Sequence, residues 1–238
     1  MRQTKYISSG GLAFSEDKDM EKLRRFSLKG SHVSHFSLMG YTLEKGESCD
    51  YIYSIDYRSL KEDDAEEYYE LFSSFGWSHI VSDAGIHLFR AHPGTKPIYT
   101  DRDTTAEKYG NSINSMNKFA IPLVLLNGLV WFGALFSSGT LKSVLYVVAL
   151  ILNVIVLPTI WTVLTTYTNK WKVEGRVRLV NLVKSLLFLL LAIAVIVLLF
   201  VKDSSVYMFA SMVIGAITLP TAIWVIMSLY QKVEKKRA

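Results

Sequence analysis

The sequence predicts an α+β domain followed by an all-α transmembrane domain of four helices. Charge breaks sharply at Lys118: residues 1–118 carry 15 Lys and Arg against 18 Asp and Glu, whereas residues 119–238 carry 11 against 3. That second half holds four apolar stretches of about the length that crosses a bilayer, roughly 20 residues at 1.5 Å rise each. The first half repeats a helix–Gly–strand–Gly–strand pattern. The expected division is 1–92 for the α+β domain, 93–118 for a linker, and 119–238 for four spans with a short basic tail.

A strand near Lys5 opens the chain. "SEDKDMEKLRRFSLKG" then reads as a helix, with Ser15 as N-cap, acidic residues where the helix dipole favours them, and Gly30 as the stop. Met20, Leu23, Phe26 and Leu28 give it an apolar face. Beyond Gly30, "SHVSHFSLM" and "YTLEKG" form an extended pair split by Gly40. "CDYIYSIDYR" alternates, with Tyr51, Tyr53, Ile55 and Tyr57 on one face, and is the clearest strand in the chain. "DDAEEYYELFSSFGW" places Ala65, Tyr68, Tyr69, Phe72 and Phe75 at helical spacing and stops at Gly76. "WSHIVSDA" and "IHLFRA" then repeat the extended pair around Gly85. One antiparallel sheet covered by two helices is the expected assembly. Pro93 and Pro97 hold the start of the following linker extended.

The four spans are placed near Phe119–Phe136, Val144–Tyr167, Leu179–Val201 and Val206–Tyr230. Lys and Arg concentrate in the connection after the second span (Lys170, Lys172, Arg176, Arg178) and in the tail (Lys235, Lys236 and neighbours). Both lie on one side, which the charge bias assigns to the cytoplasm. An even number of spans then places residues 1–118 there too, so a multi-pass protein of the cell membrane with both termini cytoplasmic is expected. "LPTIWTVLTTYTNKWK" and "LPTAIWVIMSLYQKVEKK" share Leu-Pro-Thr, Trp, Tyr and a basic cluster. This is the pattern of two like-oriented hairpins kinked at Pro158 and Pro220, whose freed carbonyls need neighbours; the same residues are also common in any membrane helix. No Asp or Glu lies inside a span, and Asn127 and Asn153 are the candidates for interhelical hydrogen bonds.

Motifs for chemistry are sparse. One cysteine, Cys49, excludes an intramolecular disulfide and a two-cysteine metal motif. All five histidines fall between residues 32 and 92. His32 and His35 are three apart in one strand, so they face opposite sides. His79 and His87 are in separate strands and His92 is in a loop, so no local ligand spacing appears and neither metal nor cofactor is expected. Counted from Gly30 and Gly76, His79 stands opposite Val33, so the repeat keeps glycines and apolar positions rather than imidazoles. "TDRDT" contains an Asp-x-Asp, read here as solvated linker charge. There is no Walker loop, GxGxxG or His-Glu-x-x-His. The first half is net acidic, which argues against nucleic acid.

The helix ending in Lys-Gly, "GYTLEKGESCDYIYSIDY", "EYYELFSSFGW" and "KPIYTD" together resemble Domain of Unknown Function 2812. That family is mostly from Firmicutes. Many members carry C-terminal transmembrane helices, and their genes often lie beside those of PadR-type transcriptional regulators. The resemblance covers roughly residues 1–110; "FGW" and "YIYSIDY" are its most specific parts, and Ser31 departs from it. It implies fold and setting but no catalytic residues. The expectation is a non-enzymatic membrane protein, regulatory, sensory or adaptor, whose α+β domain binds a partner protein or small ligand. Tyr51, Tyr53, Tyr57, Trp77, His79 and His87 are the candidate binding surface. The lipid bilayer and a protein partner are the expected partners, with homo-oligomerisation left open. The alternative is a transporter-associated or resistance (immunity-type) membrane protein, or an oligomeric pore.

Overall fold

The computed structural model describes residues 4–37 and 40–200, with further isolated positions between 210 and 229. It divides into two compact units at Ser115/Met116.

In the first unit the elements run β1 (Thr4–Ser8), α1 (Leu12–Ser27), β2 (Ser31–Ser37), β3 (Gly40–Lys45), β4 (Ile52–Tyr57), α2 (Glu62–Ser74), β5 (Ser78–Asp83) and β6 (Ile86–Ala91). The repeat is therefore strand–helix–strand–strand, because each copy includes the strand before its helix. The expected single sheet is instead two three-stranded antiparallel sheets, ordered β1-β3-β2 and β4-β6-β5. The reason is local: the last strand of each copy is central, and both its edges are occupied by strands of the same copy. The two copies also share a bulge, between Val33 and His35 in β2 and between His79 and Val81 in β5. These positions correspond when counted from Gly30 and Gly76.

α1 begins a turn earlier than the sequence implies. Ser15 sits in a kink with non-helical backbone angles, and its hydroxyl donates to the Gly10 carbonyl rather than capping the helix. Gly30 ends the segment at φ +71°, and a Cβ there would meet the Gly46 carbonyl oxygen at 2.6 Å. Gly76 takes the same left-handed conformation after α2, at φ +84°.

Two apolar clusters sit on opposite faces of the second sheet. Tyr53, Ile55, Tyr57 and Leu88 face a core shared with Ile7, Leu23, Val33, Phe36, Tyr41 and Leu43. Ile52 and Phe89 face the other way, against Tyr68, Tyr69 and Phe72 of α2 and against Trp77. The alternation in "YIYSIDY" is thus followed, but both faces of β4 are covered.

In the second unit, α3 (Arg102–Phe136, which begins in the first unit), α4 (Gly139–Val173) and α5 (Val177–Phe200) are joined by short turns. All three are long and apolar enough to cross a membrane, and only 11, 11 and 6% of the residues in their most apolar windows are buried. Side chains as large as Phe119, Leu129, Phe188 and Leu199 lie in the open, which fits a lipid surround. Among the described residues there are three such helices rather than the expected four. The fourth predicted span, with Pro220, and the tail lysines Lys235 and Lys236 lie largely or wholly outside the described residues. Asn127 donates its side-chain amide to Asn153 at 2.8 Å between α3 and α4, and Asn117 donates to the Tyr167 hydroxyl at 2.9 Å. Trp131 meets Tyr146 edge-on at 5.7 Å. Pro158 lies inside α4, where Thr162 donates to the Pro158 carbonyl and Thr159 to that of Ile155. Lys170 and Arg176 flank Glu174 at 3.8 and 3.0 Å in the α4–α5 turn, and Lys172 lies in the last turn of α4.

Candidate functional site

The penultimate residue of β4 is Asp56, which is 1% exposed. Its carboxylate accepts the Tyr68 hydroxyl from α2, the Tyr99 hydroxyl from the segment leading into α3, and the Tyr57 amide at 2.7 Å. The Arg58 guanidinium lies 3.8 Å from the same carboxylate and over the Tyr68 ring at 5.6 Å. Burial, followed by the hydrogen bond to Asp56 and its charge, pushes the Tyr68 phenol well above its ordinary pKa. Burial and the Asp56 charge do the same to Tyr99. Both phenols are therefore fixed donors rather than candidate bases at neutral pH.

A cavity of about 320 Å³ opens beside this cluster. Phe72, Phe75, Trp77, Ile98 and Tyr99 form its apolar wall, while Arg58, Lys96, Glu107 and Lys108 provide charge around it. The Trp77 indole N–H donates to the Lys96 carbonyl at 2.9 Å, which fixes the ring against the 96–100 segment. The start of α3 closes the cavity. Lys108 is 6% exposed, pairs with Glu16 of α1, and lies 5.1–5.9 Å from the rings of Tyr57, Tyr99 and Tyr109. Burial, then Glu16 and Asp17, raises the Tyr109 pKa to about 12. Asp101 of "TDRDT" caps α3 by accepting the Thr104 amide at 2.8 Å, which holds its carboxyl below the usual range.

The predicted surface residues separate. Tyr53, Tyr57, Trp77 and His87 are buried, at 7, 6, 3 and 4% exposure. Tyr51 is half-buried under the Arg90 guanidinium at 4.6 Å, with His32 and His92 at 5.5 and 5.0 Å. His79 and His87 do come together, because β5 and β6 pair with Ser82 opposite His87. The Ser82 hydroxyl oxygen lies 2.7 Å from His79 Nε2, 2.6 Å from His87 Nδ1 and 2.9 Å from the Tyr69 hydroxyl. His87 Nε2 donates to the Arg58 carbonyl at 2.8 Å, and the Tyr69 ring stacks on His79 at 3.8 Å. Burial, with a smaller push from His87, lowers the His79 pKa below its ordinary value. Among the described residues no group of three or more His, Cys, Asp or Glu side chains converges as a metal site.

Asp56, Tyr68, Tyr99 and Lys108 are candidate site residues that the sequence did not single out. Asp56 falls on the polar phase of its strand and so reads as solvated until α2 covers that face. Tyr99 and Lys108 read as linker. The aromatic spacing of α2, which points Tyr68 inward, was the available signal.

No curated protein and no solved structure matches the chain. The family described as "Protein of unknown function (DUF2812)" matches residues 15–121, a segment that includes β4, α2, Tyr99 and the first turns of α3. From Ser15 to Ile121 the chain is thus similar to the DUF2812 family, the match covering a little under half of its length.

Proposed function

We propose that the protein is a non-enzymatic, membrane-anchored sensor whose α+β domain takes a small amphipathic ligand with an aromatic body into the cavity beside Asp56. One observation carries the reading: the cavity wall includes the first turns of α3, a helix that continues to Phe136 as a candidate span. A ligand seated on Trp77 and Tyr99 changes the packing around Lys108 and so biases α3. The apolar wall supplies affinity, and the few charged groups at the edge supply orientation. The domain faces the cytoplasm in this reading, supported by the basic α4–α5 turn. A fourth span returns the tail to the same side. A regulatory role agrees with the gene setting of the family it resembles. A protein partner, or a second copy of the chain, receives the change in α3.

The test is a thermal-shift and tryptophan-fluorescence screen of the full chain in detergent against small aromatic acids and amines. The expected hit raises the melting temperature and loses at least about tenfold affinity in Trp77→Ala, the size expected for removing a buried aromatic anchor. Hits that Trp77→Ala and Tyr99→Phe leave unchanged would place binding elsewhere and overturn the reading.

A further inference from the structure

The two copies of the strand–helix–strand–strand unit differ in kind at four matched positions. Counted from Gly30 and Gly76, Leu23, Val33, Phe36 and Tyr41 correspond to Tyr69, His79, Ser82 and His87. The shared bulge and the pairings Val33↔Leu43 and His79↔Phe89, and Phe36↔Tyr41 and Ser82↔His87, fix the correspondence for the strands. In the first copy all four are core residues, none more than 5% exposed. In the second copy the same places hold two imidazoles, a phenol and a hydroxyl gathered on one oxygen. Three of the four first-copy residues are apolar and the fourth, Tyr41, turns its hydroxyl to Asp19, so packing at these places does not require the imidazoles of the second copy.

Proton counting sharpens this. His87 Nε2 donates to the Arg58 carbonyl, so a neutral His87 presents its Nδ1 lone pair to Ser82. Ser82 gives its one proton to that nitrogen, while His79 Nε2 donates to Ser82 in one tautomer and offers a lone pair in the other. A backbone carbonyl on the far nitrogen is the usual way a protein fixes the tautomer of a metal-bound histidine. We propose that His79 Nε2 and His87 Nδ1 bind a divalent transition-metal ion of the zinc–copper class, with the Tyr69 and Ser82 oxygens and water completing the shell. Imidazole nitrogens with hard oxygen donors suit that class. Ser82 and part of His79 are open to solvent, which gives the ion a path in; binding at about 2.0–2.1 Å from each nitrogen requires His79, whose ring centroid lies 6.4 Å from that of His87, to turn toward it. This site is separate from the cavity beside Asp56 and does not depend on it.

The experiment titrates untagged, full-length protein in detergent with Zn²⁺ by calorimetry, and with Co²⁺ by visible absorption. One ion per chain is expected, with a Co²⁺ band that reports nitrogen donors. His79→Ala, at a partly exposed position, should weaken binding by more than the roughly 10–100-fold typical of outer-shell changes. The exposed His35→Ala should leave it unchanged. His87→Gln, checked for fold by circular dichroism, should behave as His79→Ala. Absence of stoichiometric binding, or a Zn²⁺ affinity that His79→Ala does not alter, would overturn the site.

Discussion

Asp56 owes its burial to hydrogen bonds, not to an ion pair, since Arg58 stands 3.8 Å away while two phenols and an amide contact it directly. Asp56→Ala leaves the Tyr68 and Tyr99 hydroxyls buried without their acceptor, and each such loss costs about 1–3 kcal/mol. A destabilisation of about 3 kcal/mol is expected, read as a lower thermal midpoint of the full chain. Tyr41, Tyr57, Tyr68 and Tyr99 all have pKa values raised by burial. A phenol with a raised folded pKa contributes stability that is intact below its unfolded value, about 10, and is lost as pH climbs past it. Alkaline titration at 295 nm should therefore show these tyrosines ionising together with unfolding; independent ionisation in a folded chain would contradict their burial. His79 has the opposite sign. Its folded pKa is lowered, so its contribution is present above about pH 6.5 and fades as pH falls below that. His79→Gln should flatten the stability profile between about pH 5 and 7.

At the level of elements, glycines and alternation carried most of the information. Gly30 and Gly76 mark the ends of both helices, and the repeat they frame is the repeat of the fold. Gly30→Ala combines a left-handed backbone with a Cβ 2.6 Å from the Gly46 carbonyl, so it should cost more than the roughly 1–2 kcal/mol of the backbone term alone. Asn127 and Asn153 were legible as partners because each is the one amide side chain inside its predicted span. Replacing either with Leu should weaken the α3–α4 contact by about 1 kcal/mol, and the double replacement should cost less than the sum, as a double-mutant cycle in detergent would measure. The sheet count was not legible. Alternation identifies which face of a strand is apolar but not which edge it offers, so β4 could not be assigned to the second copy from sequence. For the same reason the covered polar face holding Asp56 read as exposed. His79 and His87 were named as candidate surface residues, but their meeting at Ser82 was not legible because they are neighbours across a hairpin ladder, a separation that residue spacing does not encode.

For the whole molecule the decisive quantity is where charge lies relative to the three described spans. The α4–α5 turn carries Lys170, Lys172, Arg176 and Arg178, whereas the α3–α4 turn carries only Lys142 just inside α4. Each basic residue near a helix end resists translocation, so the proposed orientation keeps the richer turn in the cytoplasm. The same proposal puts residues 4–101, which precede the first candidate span, on the cytoplasmic side. In a Cys49→Ser background, Ser138→Cys reports the α3–α4 turn and Val177→Cys the α4–α5 turn; both positions are exposed in the structure. An impermeant maleimide added to intact cells should label Ser138→Cys and spare Val177→Cys, with both labelled after lysis. The reverse pattern would put the α+β domain outside, where neither a cytoplasmic ligand for the Trp77 cavity nor a cytoplasmic partner for α3 could reach it. Neutralising Arg176 and Arg178 while adding basic residues to the α3–α4 turn should shift a fraction of the chains to that reversed pattern. A lone reversal of labelling without loss of expression would show that charge, and not the folded domain ahead of α3, sets the orientation.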